Sequence, residues 1–144
     1  MAKRLDPVTQ YATDVRDRRI VASRLVRLAC DRHVRDLART DLDWRPSAAQ
    51  DILDFFAEVL RLPEETAAGE TVDEAEAVPT EESRFALTPF QQFIAGSLFG
   101  WYTVKGYRRF RLAYLEQGKG SGKTAFCAGI LLYMLVADGE RGAQ

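Results

Sequence analysis

The sequence predicts an α/β fold in which a helical first part leads into the beginning of a β-sheet. Three observations predict it. Apolar residues recur at helical spacing through most of residues 1–62. One later run, Phe110-Arg111-Leu112-Ala113-Tyr114-Leu115-Glu116, reads as a strand. A glycine-rich turn and a strongly apolar helix, Lys123 to about Ala137, follow that run directly. The chain has 144 residues, room for one ordinary domain and not comfortably for two.

The elements can be justified in order. Asp6 before Pro7 reads as an N-cap and first helical residue, opening a short helix. A second helix is expected from about Ile20 to Ala38, with Val21, Leu25, Leu28, Ala29 and Leu37 as its apolar face. Asp41, Asp43, Trp44 and Pro46 mark a break. Ser47 and Gln50 then form a capping-box pattern before a helix in which Ile52, Phe55, Phe56, Val59 and Leu60 follow helical spacing. Residues 1–62 thus read as a helical amino-terminal region. Residues 63–84 read as an acidic, flexible linker, because they carry no aromatic residue and cannot build a core. Residues 85–144 read as the beginning of a further domain. Thr88, Pro89 and Gln91 supply its first N-cap, N1 and N3 residues, ahead of an apolar helix through Phe93, Ile94, Leu98 and Phe99. Gly100 and Gly106 bracket a turn around Trp101, and Asp138-Gly139 ends the last helix.

Composition narrows the function. At 47% hydrophobic and 28% charged residues the chain is globular rather than disordered. Cys30 and Cys127 stand far apart and His33 is the single histidine, which excludes a disulfide framework and any recognisable zinc site. Both cysteines read as small core residues, and His33 as a helix-surface residue. The apolar run Ala128 to Ala137 falls far short of the roughly 20 residues that span a bilayer. The amino terminus has no apolar signal core. A reducing cytosol and no membrane partner are expected. The net charge of −1 conceals a division: the eight acids between Pro63 and Ser83 offset a remainder with 20 bases and 13 acids, that is +7.

The chemistry-bearing stretch is Gly118-Lys119-Gly120-Ser121-Gly122-Lys123-Thr124. Glycines let backbone N–H groups approach phosphate oxygens without a Cβ in the way. The helix that follows adds unpaired amides and the positive end of its dipole. Lys123 would reach the β- and γ-phosphates and the Thr124 hydroxyl would ligate Mg²⁺, as in a phosphate-binding P-loop (Walker A). Gln117 stands where the standard pattern has its first glycine. The turn then depends on Gly118 and Gly120, and Lys119 adds a second cation over the phosphates.

This stretch resembles the nucleotide-binding loop of bacteriophage terminase large subunits. The resemblance extends upstream to Leu87-Thr88-Pro89-Phe90-Gln91-Gln92-Phe93-Ile94, to Gly96 through Trp101 and to Arg108-Arg109-Phe110-Arg111. It continues in Asp6 through Ala12 and in Arg24 through Cys30. It implies the start of a P-loop NTPase sheet, incomplete and mostly helical in this chain. It also implies ATP and Mg²⁺ as ligands, with Gln91, besides residues 118–124, matching an adenine-contacting glutamine. Gln91 is equally the N3 partner of a Thr88 capping box, and the two roles stay open at this point. The family is an ATP-driven motor that packages double-stranded DNA into a capsid. The resemblance therefore implies double-stranded DNA, a small terminase subunit and a portal protein as partners, a homo-oligomer in the complete protein, and the host cytoplasm as location.

No catalytic residue is identified in this chain. Hydrolysis needs an apolar strand ending in acids for Mg²⁺ and water. Leu131 through Asp138 imitates that pattern but lies in the helix that the loop must open. Glu116 precedes the loop and is also misplaced. The second acidic motif and the nuclease domain of the full-length family are not found in these residues, so a fragment or truncated product is expected, with weak nucleotide binding and no appreciable turnover. An incomplete sheet would leave the apolar face of helix 123–137 uncovered. The alternative is a basic helical module for DNA binding or assembly, without nucleotide activity. It would use Arg16, Arg18, Arg19, Arg24, Arg27, Arg32, Arg35 and Arg39, against which the interleaved Asp14, Asp17, Asp31 and Asp36 suggest ordinary surface ion pairing.

Overall fold

The computed structural model describes residues 5–61 and 84–139. The expected acidic linker lies, but for Arg84, outside the described residues. Five helices and a two-stranded antiparallel sheet make up the described part. Helix α1 (Pro7–Arg16) starts as expected: the Asp6 carboxylate accepts from the Thr9 amide at 2.9 Å, and Pro7 occupies the first turn. Helix α2 spans Arg24–Asp36, shorter at both ends than the apolar spacing suggested. Ser23 caps it. Strand β1 (Leu42–Trp44) follows, then α3 (Pro46–Asp54) and a π-helical turn, Phe55–Val59. Helix α4 spans Pro89–Gly100, strand β2 Trp101–Thr103 and helix α5 Lys123–Val136.

Helix α4 is the centre around which the rest is arranged. Toward one side Phe93 joins Val8, Tyr11, Val15 and Cys30. Toward the other, Ala95 and Phe99 join Ile52, Phe56, Phe126 and Tyr133. A Cβ on Gly96 would run into the Val8 side chain, so glycine there sets how closely α1 approaches α4. The chain passes from α4 straight into β2, and Trp44 pairs with Trp101 across the two strands.

The structure corrects several expectations. Residues 1–62 are not helical throughout, because residues 42–44 pair with residues 101–103. Trp101 is consequently a buried strand residue rather than part of a turn. Ser47 and Gln50 form no capping box: α3 begins one residue before Ser47, at Pro46, and has no side-chain cap. The fixed φ of proline suits the first helical position, and here it decided the start. The predicted face of α2 is outward, with Val21 fully exposed and Leu25 71% exposed. The helix instead buries Cys30, His33 and Asp36. Polar groups could go inside because partners across the fold satisfy them, which spacing of apolar residues does not register.

The predicted strand 110–116 is not a strand. Among the described residues it pairs with no neighbour, and an extended segment without a ladder partner has no means of satisfying its backbone as a strand. The small sheet present is antiparallel and lies elsewhere, so the described residues do not form a P-loop NTPase sheet. Helix α5 matches its expected span. It buries Phe126, Gly129 and Tyr133 against Phe56, Phe55 and Phe99. Its other face, with Leu131, Leu135 and Val136, is exposed. Cys30 is buried as expected, whereas Cys127 is exposed.

Candidate phosphate-binding loop

The loop before α5 is held by its own polar groups. The Lys123 ammonium donates to the carbonyl oxygens of Gln117 and Gly118, the latter at 3.2 Å. The Ser121 hydroxyl lies 2.8 Å from the Gly118 carbonyl and 3.3 Å from Gln117 Oε1. These contacts draw residues 117–123 into a ring closed at its neck. Gln117 thus takes part through a backbone carbonyl, which any residue supplies, and through a side-chain acceptor. That is why its departure from the glycine pattern leaves the closure intact. The spacing pattern gave no sign of this role, since a pattern records side chains and the bond is made by the backbone.

Glycine is required at two points of the ring. Gly120 has φ +80° and Gly122 φ +71°, the left-handed region that side chains with a Cβ rarely adopt. Gly122 is the N-cap of α5, and no side chain caps the helix. The first backbone bond there runs from the Phe126 N–H to the Gly122 carbonyl at 3.0 Å. The amides of residues 123–125 therefore precede the first bonded amide of the helix and lie at its positive end. No acid occupies the first turn. Lys119 and Thr124 are exposed, on the loop and in the first turn respectively. An ammonium has three donors and Lys123 uses two, leaving one for a ligand. Two lysines, orphan amides and a free hydroxyl are the donor set that a polyphosphate with Mg²⁺ needs.

Gln91 realises the capping role. Its Oε1 accepts from the Thr88 amide at 3.0 Å and from the Thr88 hydroxyl at 3.2 Å, while Thr88 Oγ1 accepts from the Gln91 amide. Its NH₂ group has no partner among the described residues. Gln92 instead donates to the Leu87 carbonyl. Phe99 meets Tyr133 near the carboxyl ends of α4 and α5, and Phe56 bridges Phe85, just before α4, to Phe126 at the start of α5.

Residues 89–144 match the family model of the terminase large subunit, ATPase domain. This match supports a fragment of a terminase large subunit. The match starts at the first residue of α4 and takes in Gln91 and the whole loop. No curated protein and no solved structure matches the chain. A terminase ATPase segment implies nucleotide use, usually with Mg²⁺, within phage DNA packaging. Among the described residues no helix is long and apolar enough to cross a membrane, and no group of His, Cys, Asp or Glu is placed to hold a metal.

Other singled-out residues find different work. Asp138 pairs with Arg108 after α5 ends. Glu116 is exposed on the extended segment. His33, expected at the surface, is buried: Trp101 Nε1–H donates to its Nδ1 at 3.0 Å, and its Nε2 lies 3.0 Å from Thr9 Oγ1. A tryptophan N–H only donates, so Nδ1 is the acceptor and Nε2 carries the proton. On the α1–α2 surface, Arg16, Arg19 and Arg39 are engaged by Asp17, Asp14 and Asp41, the local pairing expected of a solvated face.

Proposed function

We propose that this chain supplies the nucleotide-gripping start of a phage DNA-packaging motor, binding ATP through Gly118, Lys119, Gly120, Ser121, Gly122, Lys123 and Thr124. The observation that carries this reading is the Lys123 ammonium bonded across the loop neck at the mouth of an uncapped helix. Mg²⁺ bound there would neutralise phosphate charge, and the Thr124 hydroxyl would hold it. Lys123 has its third proton for a phosphate oxygen. Lys119 would offset further phosphate charge, and the amides of 123–125 would donate to phosphate oxygens. Gln91 contributes its NH₂ to the edge of the base while its carbonyl stays in the cap. In the whole motor the same site would serve translocation of double-stranded DNA, with a small terminase subunit, a portal and further copies as partners in the host cytoplasm. No acid among the described residues is bonded at the loop, so binding without appreciable hydrolysis is expected of this chain.

Thermal unfolding with and without Mg-ATP tests the reading. At a nucleotide concentration tenfold above Kd, linkage stabilises the folded state by about 1.4 kcal/mol. Lys123→Ala should abolish the shift while leaving the melting temperature without nucleotide unchanged. An unshifted wild type, or an equal shift in both proteins, refutes it.

A further inference from the structure

Away from the loop, one cavity combines unspent polar groups with apolar walls. It measures about 310 Å³ and lies between α2, α4 and the extended segment after β2, with no residue of 118–124 among its walls. Two buried polar atoms on residues that line it, Ser97 Oγ and Arg109 Nη1, have no hydrogen-bond partner among the described residues. Buried donors left unpaired are costly, so such atoms in a cavity wall point to a missing acceptor. The Asp36 carboxylate does not fill that role for Nη1, because it is bonded to Arg109 Nη2 at 2.6 Å. Arg32 also lines the cavity and forms no ion pair among the described residues. Its guanidinium and that of Arg109 each lie 4.9 Å from the centre of the Phe110 ring. Partial burial and, next, repulsion from Arg109 lower the Arg32 pKa. Arg109 thus spends its ion pair on Asp36, which also lies 3.8 Å from Arg39, and Arg32 is left as an unmatched positive charge beside the walls of Ile94, Leu98, Leu112 and Tyr114.

We propose that this cavity is a ligand site for one carboxylate carried on a flat, apolar body about the size of an aromatic ring. A carboxylate balances the single surplus charge and presents two oxygens to guanidinium forks. The volume is at the small end for ligand pockets, which limits the apolar body to about one ring. Either a free aromatic acid or an acidic side chain beside an aromatic one on a peptide supplies this chemistry.

Trp101 lines the cavity and reports on it by fluorescence. The full chain is titrated with phenylacetate, with neutral phenylacetamide, with inorganic phosphate, and with an acetyl-phenylalanyl-glutamate amide dipeptide. Saturable quenching by phenylacetate is expected, with phenylacetamide and phosphate each binding at least roughly tenfold more weakly. Arg32→Gln, a change at an exposed position that should leave the melting temperature unaltered, should weaken phenylacetate about tenfold. A dipeptide that binds more tightly than phenylacetate assigns the site to a protein segment, and the reverse assigns it to a free acid. The proposal is overturned if neither acid saturates, if the amide or phosphate binds as well as phenylacetate, or if Arg32→Gln leaves the affinity unchanged.

Discussion

Acidification should destabilise this chain through His33. Burial, only partly opposed by Asp6 and Asp36, pushes the His33 pKa down to about 4. Protonation would put a hydrogen on Nδ1, against the Trp101 indole N–H that now donates to it. Above pH 6.5 neither the folded nor the unfolded chain protonates this group, and its contribution to stability is complete. As pH falls from 6.5 toward 4 the unfolded chain takes up a proton that the folded chain refuses, and stability is lost. Each pH unit of that window is worth up to 1.36 kcal/mol, so the loss approaches about 3 kcal/mol by pH 4. A small domain has only about 5–15 kcal/mol in total, so the effect is large. Urea unfolding at intervals from pH 7.5 to 4.5 measures it. His33→Gln should be less stable than wild type at pH 7.5 and nearly flat across the window. The hydrogen bonds of Gln10 to Asp14 and of Arg39 to Asp41 lower those two carboxyl pKa values. Their contributions are lost only below the ordinary carboxylate range, near pH 4. Equal pH slopes for wild type and His33→Gln would show that the imidazole is not the group responsible.

Three further outcomes follow from the packing. Gly129→Ala gains up to about 1 kcal/mol of helix propensity but drives its Cβ to 2.8 Å from Leu60 Cδ1 and into the Phe56 ring, and overpacking costs about 1–3 kcal/mol. A net loss of about 1 kcal/mol is expected by urea unfolding; a stabilised variant would mean that α5 does not dock on Phe56. Asp36→Ala leaves the Arg109 guanidinium buried without its carboxylate and should cost about 3–5 kcal/mol, whereas removing exposed Asp41 should cost under about 1 kcal/mol. Comparable losses for the two would contradict the burial of the first pair. Exposed Cys127 should react with an aromatic disulfide reagent in the native protein, while Cys30, its thiol pushed up to about 12 by burial, should react only after unfolding. Two fast thiols in native buffer would place Cys30 outside the core.

Local chemistry alone determined the Asp6 cap, the Thr88–Gln91 capping box, the span of α5 and the glycine-rich turn before it. Each depends on residues within a few positions of one another, which a linear reading contains. The tertiary structure decided the inward face of α2, the strand pairing of Trp44 with Trp101, the burial of His33 between Thr9 and Trp101, and the union of Asp36 with Arg109, because each is a bargain between residues 24 to 73 positions apart. A strand belongs to this second group for the same reason. The run at 110–116 has the composition of one, but its backbone bonds must come from another segment, and composition does not say whether that segment is at hand.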